Sequence, residues 1–393
     1  MDMYRTNSPP HRIRGNPQLA MCNGFLAAAD DAAVVMNSSA ALLPRLQSGC
    51  QPSTNKPCIV IHEYHASAWE AEWIARDVRD PEAPCSCHNW RHRPCACRKY
   101  PKQWPGCKVL ERANEMRRVR RWLKFATRLQ RSDSSKVPNW PLEVFSHHAY
   151  RNSCTCQVVR VPIEPLVGFL RHPCAICLDQ PNDRWAPILT KEHMLPTWRG
   201  EVLATREVAM SSHDALPPRN FLFDLGASTY RYGTGGDSQR WLVEAYERRG
   251  LIFDRIFAWE ATPHEDRKIF NRMPTRVLDV LSYYNVPIDS STPDARHNPL
   301  RTLRTLARPN DFVVIKVDYD DCVSERALIE QIIQSPETSR LVTELYFEHH
   351  VLESPMDVLA WHVNSSACGD KLRDSFALFG RLRAAGIRAH PWV

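Results

Sequence analysis

Asp311-Phe312-Val313-Val314-Ile315-Lys316-Val317-Asp318-Tyr319-Asp320-Asp321 is the stretch whose reading decides the fold. Residues 312–317 are almost wholly apolar and rich in β-branched side chains, as a strand covered on both faces at the centre of a parallel sheet requires. The run then ends in acid. Upstream, Phe221-Leu222-Phe223-Asp224-Leu225 reads as a second buried strand, followed by Gly226, Gly233, Gly235 and Gly236. A helix is predicted from near Asp237, which can cap it, to Gly250, with Trp241, Leu242, Ala245 and Tyr246 on its inner face. Further strands are expected at 252–259 and 276–284. Asn298 and Pro299 then suit the cap and first position of a helix through Leu300, Leu303 and Leu306. Downstream, 324–333 reads as helix, 341–347 as strand, 371–383 as helix and 386–393 as a final strand. Short apolar runs alternating with helices define an α/β sheet, doubly wound and mostly parallel.

The first part of the chain has a different texture. Thirty Pro against fourteen Gly imply long irregular stretches, and residues 1–155 read as a Pro-, Arg- and Cys-rich extension with two helices, 66–78 and 109–129. Residues 156–393 form the α/β domain. With 43% hydrophobic and 24% charged residues, the 393-residue chain is neither wholly disordered nor fibrous. No run of eighteen apolar residues occurs, so no spanning helix is expected. Asp30 and Asp31 interrupt the best leader candidate, 25–43. The compartment stays open, with the cytoplasm favoured. From His88 to Arg131 every charged side chain is basic except Glu111 and Glu115. The basic helix at 109–129 therefore either packs one face on a neighbour or meets an anionic partner such as nucleic acid or an acidic membrane.

Fourteen Cys fall mostly in the first half of the chain, a distribution that favours reduced thiols or metal ligands over a disulfide scaffold. Cys85, Cys87, Cys95 and Cys97, with His88, His92 and Cys107 nearby, offer ligands enough for tetrahedral zinc. The single residue between paired Cys is awkward for two ligands on one ion, which leaves unliganded Cys as the other reading. Cys174 and Cys177 have better spacing but no second pair nearby.

In open α/β sheets ligands bind beyond the carboxyl ends of the strands. Those ends carry Asp224 and Gly226, then Glu260, then Asp318 and Asp320, then Glu348, His349 and His350. Gly226 permits a tight turn and close approach, and Glu260 is suited to accept both hydroxyls of a ribose. Neither G-x-G-x-x-G nor G-x-x-x-x-G-K-[ST] follows the first strand, which disfavours pyrophosphate ligands and an NAD-dependent oxidoreductase. S-adenosyl-L-methionine, an adenosine cofactor without phosphates, is expected instead.

FLFDLGAS at 221–228, FDRIFAWEA at 253–261, DFVVIKVDYDD at 311–321 and ELYFEHH at 344–350 together resemble the FkbM-type branch of SAM-dependent methyltransferases. The resemblance spans about residues 156–393, and it implies a class I, Rossmann-like methyltransferase fold with a seven-stranded sheet. By the same resemblance Asp224, Gly226, Ala227 and Ser228 line the cofactor, Glu260 holds its ribose, and Lys316 and Asp318 face the reacting centre. The sequence departs from the family at Tyr230 (glycine there), Ala261 (proline) and Asp320-Asp321 (Glu-Gly). Some 36 residues separate Asp224 from Glu260, where about 20 is ordinary, so the first crossover is enlarged.

A methyl group on a sulfonium transfers by in-line displacement, so positioning supplies most of the acceleration. A hydroxyl acceptor must also lose its proton, and Asp318, Lys316, Glu348, His349 and His350 are the candidates, with Asp318 foremost. The expected activity is methyl transfer to an oxygen of a small molecule or sugar. The competing expectation is a non-catalytic methyltransferase-like protein whose basic arm contacts nucleic acid or an acidic partner.

Overall fold

The computed structural model describes residues 60–75, 113–166, 194–209, 216–231, 238–350, 368–370 and 372–392. Among these, six strands form one parallel sheet: β4 (Asn220–Leu225), β5 (Arg255–Trp259), β6 (Leu281–Tyr284), β7 (Phe312–Val317), β8 (Glu344–Phe347) and β9 (Arg388–Pro391). Their spatial order is β6-β5-β4-β7-β8-β9, and every neighbouring pair runs parallel. That order is compatible with a Rossmann-like fold, because the chain builds outward from β4 in one direction, then returns beside it and builds in the other. Six strands are described where seven were expected, and the chain between β8 and the last helix, 351–367, lies outside the described residues.

Alternation along the strands explains the layers. Phe221, Phe223, Leu225, Val313, Ile315, Val317, Leu345 and Phe347 share one core cluster with α7 (Pro299–Leu306), α8 (Cys322–Gln334) and α10 (Leu372–Ala384). Leu222, Ile256, Phe312, Val314 and Tyr346 belong to a second cluster with α3 (Arg199–Ala209), α4 (Ser238–Glu247) and α6 (Thr275–Leu278). Apolar side chains are thus buried on both faces of β7, which is why its run has no polar alternation. Asn298 caps α7 as expected, its side chain accepting from Leu300 N with Pro299 at the first position. The stretch 276–284, read as one strand, is instead the short helix α6 followed by β6. Pro274 opens that helix, and its apolar residues Val277 and Leu278 were mistaken for strand. Two further short helices are α5 (Asp266–Ile269) and α9 (Pro336–Ser339), the latter packed on α7 and α8.

The extension is more ordered than its sequence suggests. β1 (Val60–His65), β2 (Ser146–Asn152) and β3 (Val158–Ile163) form an antiparallel three-stranded sheet, so the boundary expected at 155/156 falls inside the β2–β3 hairpin. Between β1 and β2 lie α1 (Ala68–Ala75), α2 (Ala113–Leu129) and a 3₁₀ turn at Ser134–Lys136. Val119, Trp122, Ala126 and Leu129 of the basic helix α2 are buried in the first core cluster, so one of its faces packs on the rest of the molecule.

Polar groups join the two sheets. Arg388 of β9 donates to the carbonyls of Pro162 (3.0 Å) and Leu195 (2.7 Å). His390 bridges Glu164 (2.6 Å) and Glu344 (2.7 Å). Arg383 donates to the Tyr64 hydroxyl at 2.9 Å. β1 and β2 escaped the sequence reading because their buried positions include His65, His147 and His148 rather than an apolar alternation.

Cys322 and Cys368 form a disulfide with Cα atoms 6.0 Å apart, and Cys154 and Cys156 are each disulfide-bonded. These four correct the expectation of reduced thiols. The zinc candidates Cys85, Cys87, Cys95 and Cys97, like Cys107, Cys174 and Cys177, lie outside the described residues. Among the described residues no helix is long and apolar enough to cross a membrane.

Candidate functional site

The strand order reverses between β4 and β7, and their carboxyl ends are held unusually close. Gly226, with φ of 82°, follows β4 directly, and a Cβ built there would lie 1.7 Å from the carbonyl oxygen of Asp318. Lys316 fastens the two ends. Its ammonium, 1% exposed, donates to the Gly226 carbonyl at 2.8 Å and pairs with Asp318 at 3.0 Å and Asp224 at 3.5 Å. Asp224 is fully buried and also accepts from Gln239 Nε2 of α4 at 3.0 Å. It therefore acts beneath the loop that follows β4.

That loop is tied to the next strand. Gly226 N and Ala227 N both donate to the Trp259 carbonyl, and Ser228 N donates to Glu260 Oε2 at 2.8 Å. The other oxygen of Glu260 accepts from Thr262 N at 2.7 Å, so the carboxylate is fixed between two loops. Tyr283 at the end of β6 donates to the Ser228 carbonyl at 2.9 Å. The five cofactor candidates Asp224, Gly226, Ala227, Ser228 and Glu260 thus occupy one continuous region at the ends of β4 and β5.

The proton-handling candidates divide. Lys316, Asp318 and Glu348 come together: Asp318 accepts from Lys316 and from Trp392 Nε1 at 3.0 Å, and it shares a hydrogen bond with Glu348. His349 turns elsewhere, meeting Asp370 at 3.2 Å and stacking on Phe347. His350 is the imidazole that meets Glu348, at 3.4 Å, and Asp320, at 3.5 Å.

Burial raises a carboxyl while cations and hydrogen-bond donors lower it, and here the balance differs between neighbours. Burial pushes Asp318 up, but Lys316, with help from Trp392, outweighs it and holds the group well below its usual range. Burial raises Glu348 above the carboxylate range, and the charge of Asp318 reinforces it against His350. Glu325, on the first turn of α8, is pushed up to about 8 by burial. Lys316 is the reverse case. Its burial favours the neutral form, yet Asp318 and Asp224 prevail and keep the ammonium charged, so it orients carboxylates and accepts no proton.

Gln239, Trp392, Glu325 and Tyr283 were not singled out from sequence. Gln239 and Trp392 carry no local signal, since each reaches the site from another element. Glu325 does have one. It lies in the first turn of α8 just after the capping Asp321, and an acidic first turn beside a strand-end cluster marks a helix start at the site. No protein-family model, curated protein or solved structure matches the chain.

Proposed function

We propose that the chain is a SAM-dependent methyltransferase of the FkbM-like type, its doubly wound sheet a variant of the seven-stranded class I pattern, acting on an oxygen of a small molecule or sugar. The observation that carries this reading is Glu260, anchored at the end of β5 beside the point where the strand order reverses. A carboxylate offers about four lone-pair positions, and the two backbone N–H groups use only two. The remainder suit the paired hydroxyls of a ribose.

S-adenosyl-L-methionine supplies the electrophilic methyl group. Gly226, Ala227 and Ser228 shape the floor beside it, Glu260 holds the sugar, and Asp224 with Lys316 keeps the floor rigid from below. The acceptor's proton passes to the Asp318–Glu348 pair, which titrates as a unit. In that pair Glu348 has the stronger affinity for a proton, while Asp318, held by Lys316 and Trp392, fixes its partner in place.

Calorimetric titration of the folded chain tests the reading. Saturable binding of S-adenosylmethionine but not NAD is expected, with affinity at least about tenfold weaker in Glu260→Ala, the loss of roughly one or more charge-assisted hydrogen bonds. Absence of binding by folded protein removes the methyltransferase reading in favour of a non-catalytic protein of the same architecture.

A further inference from the structure

The parallel pairing that sets Val317 opposite Phe347 brings two chain ends level. Beyond β7 the backbone turns through Asp320, at φ of 62°, and beyond β8 it continues as Glu348, His349 and His350. Among the described residues this places one imidazole and two carboxylates together: one ligand atom each from Asp320, Glu348 and His350, all within 4.8 Å of one another.

The spacing has a diagnostic value. His350 Nε2 stands 3.5 Å from Asp320 Oδ1 and 3.4 Å from Glu348 Oε2. Charge-assisted hydrogen bonds between nitrogen and carboxylate oxygen contract to about 2.7–2.9 Å, so these contacts are long for ion pairs. Ligand atoms about 2.1 Å from a tetrahedral ion lie about 3.4 Å apart. Two of the three separations match that value, and the third lies within 4.8 Å, so the three atoms can reach one ion.

Charge points the same way. Asp318 adjoins Glu348, and the ammonium of Lys316 is already engaged by Gly226, Asp224 and Asp318. Glu325, 1% exposed, is tied to the residue before Asp320, its Oε1 accepting from Tyr319 N, while its Oε2 has no hydrogen-bond partner. Its carboxyl lies within the fields of His350, Asp318 and Glu348. A buried carboxyl oxygen without a hydrogen-bond partner is costly, and a cation beside the group both supplies a partner and favours its ionised form. The side chain of Asp320 is 60% exposed and that of His350 4%, so the cluster runs from the interior to the surface, where water or an acceptor oxygen can complete the coordination.

We propose that Asp320, Glu348 and His350, backed by Glu325, bind one divalent first-row transition ion at the ends of β7 and β8. A set of one imidazole and two carboxylates suits ions such as Mn²⁺, Fe²⁺ or Zn²⁺ more than Mg²⁺ or a thiol-seeking ion. The site goes beyond the methyltransferase reading and its binding test does not depend on it; with the ion bound, Glu348 is a deprotonated ligand and no longer the proton acceptor named above. An acceptor hydroxyl on such an ion gives up its proton more readily, here to water at the exposed side of Asp320.

The test uses the full chain, stripped with chelator, dialysed and titrated with Mn²⁺ without S-adenosylmethionine, free ion being followed by electron paramagnetic resonance. Mn²⁺ is the probe because it prefers carboxylate and imidazole donors to sulfur. One saturable Mn²⁺ per chain is expected, weakened at least tenfold by His350→Ala and by Asp320→Asn, with a Mn²⁺-dependent rise in Tm that both variants lose. Asparagine tolerates the backbone at 320, so Asp320→Asn keeps the test valid should His350→Ala fail to fold. No saturable binding, or binding indifferent to Asp320→Asn, overturns the site. Titration with S-adenosylmethionine in chelator separates the two proposals, since binding of that ligand by a chain that takes up no Mn²⁺ refutes the ion site alone.

Discussion

A methyl group added at position 226 would collide with the Asp318 carbonyl oxygen, a backbone atom that cannot swing away. The positive φ adds conformational strain of about 1–2 kcal/mol for any side-chain-bearing residue. Gly369 supplies the control, because its φ is 69° yet nothing lies within 4 Å of the added atom. Urea unfolding should therefore show Gly369→Ala destabilised by about 1 kcal/mol and Gly226→Ala by clearly more, upward of about 2 kcal/mol. Equal losses would mean that the strand ends at 226 and 318 are not in contact. At this scale the sequence was partly legible. Gly226 and Glu260 stood out because strand ends announce themselves, and both lie at the reversal point. Lys316 was read beside Asp318 as facing the reacting centre; its ammonium is buried and pairs with Asp224 and Asp318, a contact between strand ends that a linear reading does not give. Only the three-dimensional neighbours Gln239 and Trp392 reveal which carboxylates are already occupied.

Among the elements, α7 shows how local chemistry fixes a start. Asn298 is buried, accepts from Leu300 N, and donates to the Thr292 carbonyl (2.8 Å) and to Gln331 of α8 (2.9 Å). Asn298→Ala removes the cap, worth about 1 kcal/mol, and strands the Gln331 acceptor as well, so thermal unfolding should report a loss of about 2 kcal/mol. A loss within about 0.5 kcal/mol would show that water replaces both partners. This cap was readable from two adjacent residues, as were the apolar runs of β4 and β7, since their information is local. β1 and β2 were not readable. The hydroxyls of Tyr64 and Ser146 are met by Glu70, and Tyr64 also by Arg383, partners on helices outside the sheet, and a pattern of buried histidines mimics a polar loop.

For the whole molecule, the buried imidazoles of the antiparallel sheet contribute to the response to acid. Burial lowers His62 to about 4 and His147 to about 3, and holds His148 well below its usual value. His62 Nε2 and His148 Nδ1 lie 2.7 Å apart, a contact that requires one unprotonated nitrogen. In the unfolded chain these imidazoles take up protons near pH 6.5, while in the native protein they do not. The unfolded state then binds more protons, so stability falls as pH drops from about 6.5 toward 4, by roughly 1.4 kcal/mol per pH unit for each histidine. His390 has the opposite sense. Burial opposes its charge, but Glu164 and Glu344 prevail and raise it, so its contribution is complete below pH 6.5 and lost as pH rises through the native value. Glu325, raised to about 8, and Glu348, raised to about 7, work in the opposite sense over the same interval, so the histidine contribution is read as a difference. Between pH 7 and pH 5 the urea midpoint of His147→Phe should fall less, or rise more, than that of the parent chain, and equal slopes would contradict a buried neutral imidazole at 147. The Cys322–Cys368 link has its own meaning at this scale, because it closes a ring containing all of α8, α9 and β8 and the residues Glu348 and His350. A single scission anywhere inside that ring leaves the protein in one covalent piece, and the halves part only when the sulfurs are reduced too.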